Sequence, residues 1–322
     1  AWTRTLESTF PTISKDSNLN LELELYKEED QKLEESKNID KSKEKTKNIY
    51  IHSKNNGKPK VLIPVFPGTN GEYDATKAFE KAGAKVETLV FKTLTKNHIK
   101  DSMDQLVKSM KESQILMIPG GITLGDEPGG SAKFITTILQ DSRMKEEVND
   151  LLTNRDGLIL GIGNGFQALI KTGLVPYGEI KPLEEDAPTL TQNIIGRHIS
   201  KVVSTKVVSN KSPWLQKAEL GGVYSLPISH GEGRFVASDQ WIQKLSENGQ
   251  IAARYVDLDG NPTMDEVYNP NGSYYAVESI TSPDGRVLGK MGHSERIGQG
   301  LGLNIKGKQD QKIFEAGVDY FL

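Results

Sequence analysis

The chain has 322 residues, of which 36% are hydrophobic and 26% charged, and its formal net charge is −3. That balance is ordinary for a soluble globular protein and argues against polyanion binding, to nucleic acid or to an anionic membrane, as a main function. With no cysteine there is neither disulfide nor thiolate metal site, and five histidines scattered at 52, 98, 198, 230 and 293 suggest no metal centre.

Residues 1–58 differ from the rest. The segment begins Ala1-Trp2-Thr3, without Met, and reads as the end of a preceding helix, so a piece of a longer polypeptide is expected. From Lys27 to Lys47 seven lysines alternate with seven acidic residues and almost nothing apolar, the pattern of a solvated charged linker. No apolar run approaches the ~18–20 residues that span a bilayer, and there is no charged-then-apolar leader, so a cytoplasmic location is expected.

The folded domain, expected over 59–322, opens with Val61 to Phe66, a short continuous apolar run typical of a strand buried on both faces. A turn through Pro67-Gly68-Thr69-Asn70-Gly71 leads to a helix over Tyr73 to Ala82, with Ala75, Ala78 and Phe79 on one face and Gly83 ending it. Lys85 to Phe91 alternates as a second strand. Ile99 to Met110 has helical spacing, and Gln114 to Ile118 forms a third strand. The loop after it, Gly120 to Gly130, has six Gly or Pro residues, which lets backbone amides approach a ligand at the carboxyl edge of the sheet. Ser131 is expected to cap one long helix running to about Leu152.

Leu158 to Ile162 then reads as a buried strand, and Gly163-Asn164-Gly165-Phe166-Gln167 as a tight turn opening a helix. Such a strand–turn–helix junction throws its apical residue to the top of a parallel sheet, against a helix N-terminus that stabilises negative charge. The apex here is Gly163, which carries no side chain. The alternation of strands and helices predicts an α/β fold, a three-layer, mostly parallel doubly wound sheet of flavodoxin-like type with a nucleophile-elbow turn.

The second half is less regular. Strands are expected at Val202 to Ser209, Gly222 to Ile228, Gly233 to Ala237, Ile251 to Val256, Tyr274 to Thr281 and Arg286 to Met291. Short helices are expected at Gln240 to Ser246 and Gln311 to Phe321, with turns at Asp259-Gly260-Asn261-Pro262, Asn269-Pro270-Asn271-Gly272 and Ser282-Pro283-Asp284-Gly285.

The glycine loop, the elbow at Gly163 and the late Gly292-His293-Ser294-Glu295 occur in the order of the class I glutamine amidotransferases, which the chain resembles from about Val61 to Phe321. Phe66-Pro67-Gly68-Thr69-Asn70, Asn164-Gly165-Phe166-Gln167 and Ser229-His230-Gly231-Glu232-Gly233-Arg234 are similar to the glutaminase domains of phosphoribosylformylglycinamidine synthases. The resemblance implies a cysteine nucleophile at the position of Gly163, His293 as general base and acid, and Glu295 orienting its imidazole. It implies an oxyanion hole at the amides of Gly121 and Asn164, with Gln167 holding substrate and Asn70 close by.

Gly71 is a second position where that family commonly has Cys. His230, Glu232 and Arg234 fit either a tight strand-edge turn with a local ion pair or a role lining an ammonia exit or touching a synthetase. The implied function is hydrolysis of glutamine to glutamate and ammonia, for an ATP- and magnesium-dependent synthetase region of the same polypeptide that amidates formylglycinamide ribonucleotide in purine biosynthesis. No cofactor is expected in this domain, and no P-loop occurs. Glycine cannot attack a carbonyl, so the chain is expected to be inactive as written. The alternative is a non-catalytic module acting as a structural or gating partner.

Overall fold

A computed structural model describes residues 57–124, 126, 131–298 and 300–322. The tail and charged linker expected over residues 1–58 lie almost wholly outside the described residues. From there the chain runs β1 (Lys60–Val65), α1 (Glu72–Lys81), β2 (Lys85–Val90), α2 (Lys96–Glu112) and β3 (Ile115–Ile118), each within a few residues of its expected span. Thr95 caps α2 by accepting from the His98 amide at 3.1 Å, and Gly83, just past α1, has φ +99°, the left-handed stop that glycine tolerates best.

The single helix expected from Ser131 to Leu152 is two helices, α3 (Lys133–Gln140) and α4 (Ser142–Thr153). Asp141 between them is extended, with ψ 135°, and its carboxylate accepts from the Arg143 amide at 3.1 Å to start α4 afresh. Ser131 does not cap α3. Ala132 precedes that helix in a left-handed conformation, and the Ser131 amide donates to Glu232 Oε2 instead. A cap-forming aspartate inside an apolar helical pattern explains the error, because helical periodicity continues across such a break.

β4 (Leu158–Ile162) feeds α5 (Asn164–Thr172) through Gly163. Then follow β5 (Thr189–Gln192), β6 (Ile199–Val207), β7 (Val223–His230), β8 (Glu232–Val236), α6 (Asp239–Glu247), β9 (Ile251–Tyr255), β10 (Val277–Thr281), β11 (Val287–Lys290) and α7 (Ile313–Asp319). β5 was not anticipated. β8 leaves the main sheet to pair with it, and residues Tyr274–Ala276 form a 3-10 turn rather than the start of a strand.

The main sheet has nine strands in the order β2-β1-β3-β4-β11-β10-β9-β6-β7. Its first five strands are parallel neighbours, the doubly wound half that the sequence predicts, and β10, β9, β6 and β7 extend it as an antiparallel wing. Alternation along each central strand divides its side chains between two cores: Leu116, Ile118 and Ile159 pack on one face, Met117, Leu158 and Leu160 on the other. Helices cover both faces, so the fold has three layers. On the second face α7 packs Phe314 edge-on to Phe79 of α1, ring centroids 4.9 Å apart. Each fully buried Leu or Ile here contributes about 1.5–3 kcal/mol. Among the described residues, no helix is long and apolar enough to cross a membrane.

Candidate functional site

The carboxyl ends of β1, β3, β4 and β11 meet at one edge, and the turns leaving them form the site. Gly163, between β4 and α5, has φ +56° and ψ −112°, a backbone state that residues with a Cβ adopt only under strain. Its amide donates to Lys290 O at 2.9 Å, tying the turn to β11. The helix behind it sits close to the sheet because neighbouring glycines allow it. A Cβ on Gly165 would lie 1.9 Å from Ile118 O, and one on Gly289 would lie 2.2 Å from the Phe166 ring.

His293 and Glu295 follow β11 and are buried. His293 Nδ1 stands 2.6 Å from Glu295 Oε1, so the carboxylate accepts the Nδ1 proton and Nε2 is left as the basic nitrogen. That Nε2 has no partner among the described residues, and it lies 3.7 Å from where a Cβ on Gly163 would stand. A thiol carried by that Cβ would come within hydrogen-bond reach of the imidazole. Gly120 completes the fit, since a Cβ there would press 2.9 Å from His293 Cε1. Residues distant in sequence therefore converge around a position that lacks only a side chain.

The turn carrying His293 is secured from below. Lys290, fully buried, donates from Nζ to Gly292 O at 2.9 Å and to Ser294 Oγ at 2.7 Å, with Glu278 Oε1 3.6 Å away. Glu278 in turn accepts from the Gly292 amide at 2.6 Å, and Ser294 donates to Gln311 at 2.8 Å. Burial pulls the proton affinity of Lys290 below that of a free lysine, against the opposing attraction of Glu278 and Glu295. The His293 amide also donates to Pro227 O at 2.9 Å, which joins this turn to β7.

The glycine loop after β3 is clasped by the loop after β1. The amides of Asn70 and Gly71 both donate to Gly120 O, at 3.1 and 3.2 Å, and Gly121, with φ +152°, bridges Thr69. Asn70 thus supports the site through its backbone, while the residue itself is exposed and does not line the cavity. Asp126 anchors the loop to α5 by accepting from the amides of Thr123 and Ala132 and from Asn164 Nδ2, at 2.7–2.8 Å. Sequence reasoning missed Asp126, Gly120 and Lys290. An acidic residue inside a glycine-rich loop was the available signal for the first; nothing local marks the other two.

A cavity of about 70 Å³ lies over this edge, and Gly121, Gly163, Asn164, Gln167 and His293 all line it. The amide of Asn164 is in the first turn of α5, where helical amides lack intrahelical acceptors and the helix dipole favours developing negative charge. Gln167 spans to the β7–β8 turn, its Nε2 donating to Glu232 O and its Oε1 accepting from Asn164 Nδ2 at 2.8 Å. His230 and Glu232 also line the cavity. Arg234 does not: its Nε donates to Gly272 O at 3.1 Å, and its guanidinium lies over the Tyr274 ring.

A family model of the CobB/CobQ-like glutamine amidotransferase domain matches residues 58–321. The PurQ subunit of phosphoribosylformylglycinamidine synthase from Methanococcus maripaludis is 35% identical over 245 residues, covering 74% of this chain and 82% of its own length. The corresponding subunit from Treponema denticola is 32% identical over 286 residues, covering 82% of this chain and all of the other. Among solved structures, PurLQS from Thermotoga maritima superposes with a TM-score of 0.57 at 26% identity, over 82% of this chain and 100% of the matched one. These matches bear out the resemblance drawn from the motifs.

Proposed function

Since the chain belongs to the CobB/CobQ-like glutamine amidotransferase family, we propose that the cavity over Gly163 is a glutaminase site whose chemistry requires a cysteine at that position. The observation that carries this reading is the unpartnered Nε2 of His293, oriented by Glu295 and 3.7 Å from the place of a Cβ on Gly163. With a cysteine there, the thiol gives its proton to His293 Nε2 and sulfur bonds to the amide carbon of glutamine. The amides of Gly121 and Asn164 hold the resulting oxyanion. His293 returns the proton to the departing nitrogen, the C–N bond breaks, and ammonia leaves a glutamyl thioester. Water, deprotonated by the same nitrogen, then releases glutamate and restores the thiol.

The ammonia in this reading serves a synthetase region that amidates formylglycinamide ribonucleotide, and ATP and magnesium belong to that region. The relatives named as PurQ subunits, and the T. maritima assembly named PurLQS, support such a partner. As the sequence stands, glycine supplies no nucleophile, and loss of a nucleophile removes on the order of 10⁶-fold in kcat. A second reading, a module that has lost catalysis and serves as a structural or gating partner, is favoured by Gly163 alone.

The two readings separate on one variant. Glutamate release from glutamine is measured for the chain and for Gly163→Cys, each with a PurL-type synthetase present. The glutaminase reading expects background release from the first and turnover from the second. A folded Gly163→Cys protein that releases no glutamate sinks it and leaves the non-catalytic reading.

A further inference from the structure

Lys290 and Glu278 are both buried, touch none of the reacting groups, and are not used by the chemistry above. Burying ions is costly unless each is paired and hydrogen-bonded. An ammonium has three N–H bonds to place. Around Lys290 Nζ stand Gly292 O at 2.9 Å, Ser294 Oγ at 2.7 Å and Glu278 Oε1 at 3.6 Å. Two of these three belong to the residues immediately before and after His293. The lysine thus grips the turn on both sides of the imidazole.

Its counterion completes the grip. Glu278 Oε1 accepts the Gly292 amide at 2.6 Å, so the ion pair holds both backbone polar groups of residue 292, and Ser294 Oγ passes on to Gln311 Oε1 at 2.8 Å. Glycine at 292 is what lets the ions come so near. A Cβ there would stand 3.0 Å from Glu278 Oε1 and 3.2 Å from Lys290 Nζ, tighter than ordinary contact. The imidazole itself has one hydrogen-bond partner among the described residues, Glu295, through Nδ1. The ammonium also attracts Glu295, whose Oε2 has no hydrogen-bond partner among them. The direction of Nε2 is therefore set by the backbone of the turn, and the backbone by the ion pair.

We propose that Lys290 is a positioning residue for the proton transfers of His293: with Glu278 it clamps residues 292 and 294 so that Nε2 points at the side chain carried by position 163. The inference rests on the glutaminase reading of the cavity. Lys290 and Glu278 do not line that cavity and act through His293 alone. Misplacing a reacting group by about 1 Å costs about 10²-fold in rate, so the clamp acts on kcat. Gly121, Asn164 and Gln167, which line the cavity, lie outside the clamp and are left to bind substrate as before.

The test must separate lost aim from lost stability. Lys290→Met/Glu278→Gln strands no buried charge, yet Met offers no donor to Gly292 O or Ser294 Oγ. Placed in a Gly163→Cys chain with a PurL-type synthetase present, this pair of changes should lower kcat for glutamate release about 10²-fold and leave KM for glutamine within about twofold. The second readout needs no turnover. In ¹⁵N-histidine spectra of the chain with Gly163, the Nδ1 proton that His293 donates to Glu295 should shift or broaden in the double variant. It should stay in place in Leu106→Ala, a core truncation in α2 away from the turn. If kcat stays within about twofold, the Nδ1 proton keeps its place, or Leu106→Ala moves it equally, Lys290 serves the fold alone and the proposal is overturned. Turnover by Gly163→Cys would then still uphold the glutaminase reading. If Gly163→Cys by itself releases no glutamate, that reading fails and the inference falls with it.

Discussion

Two turns face each other across the cavity and are held by opposite means. The turn between β4 and α5 is built from what is missing: Gly161 and Gly165 let helix and strand approach to distances no side chain permits. The turn after β11 is built from what is present, a buried ammonium, a buried carboxylate and a serine hydroxyl that fasten its backbone. The first arrangement is local and steric, so it is rigid without relying on charge. The second depends on Lys290 and Glu278, which reach the turn from neighbouring strands, and it lasts only while the ions stay paired. Groups placed at position 163 and at His293 therefore differ, the first held sterically and the second dependent on an electrostatic network.

The sharpest way to break the steric turn is Gly165→Ala. The new methyl would stand 1.9 Å from Ile118 O, a backbone atom of β3 that cannot rotate aside, so α5 must leave the sheet. A loss above about 4 kcal/mol is expected, at the extreme of single substitutions. Thermal unfolding followed by circular dichroism should show a Tm lowered by many degrees or no cooperative transition; a near-native transition would show that the helix has slack.

Lys290→Met tests the other turn. It fills a similar volume but leaves Glu278 buried beside an apolar group, which typically costs about 3–5 kcal/mol. Adding Glu278→Gln removes the stranded charge while keeping an acceptor for the Gly292 amide. The double variant should thus recover part of the loss, with a coupling of about 1–3 kcal/mol in denaturant unfolding. Strict additivity would mean that the ions do not hold the turn.

This difference in construction also explains what could be read in advance. Gly163, His293 and Glu295 lie in short motifs whose spacing is local, and the alternating strands that carry them are continuous apolar runs, so the parallel half of the sheet was legible. Lys290 was not. Within its strand it looks like the charged residue that closes a buried run, and only the pairing of β11 with β10 brings Glu278 beneath it. β8 was anticipated as a strand without a partner, because alternation shows that a segment is extended and not which strand it pairs with. The break at Asp141 was hidden for a related reason, since α3 and α4 keep one apolar face turned to one core.

His230 combines both modes, with Gly233 making room for its ring and Asn193 fixing its proton, and it yields the smallest effect and the most direct reading by pH. Its pKa is about 3 in the folded chain against about 6.5 when unfolded, so below pH 6.5 the unfolded state binds more protons. Its contribution to stability is complete above pH 6.5 and declines as the pH falls from there toward 3. By pH 5 the decline reaches about 2 kcal/mol, at about 1.4 kcal/mol per pH unit. His230→Phe removes this titration whatever it does to packing. The difference in unfolding free energy between pH 7.5 and pH 5 should therefore shrink by about 2 kcal/mol relative to the native chain. An unchanged difference would mean that His230 takes up a proton in the folded state.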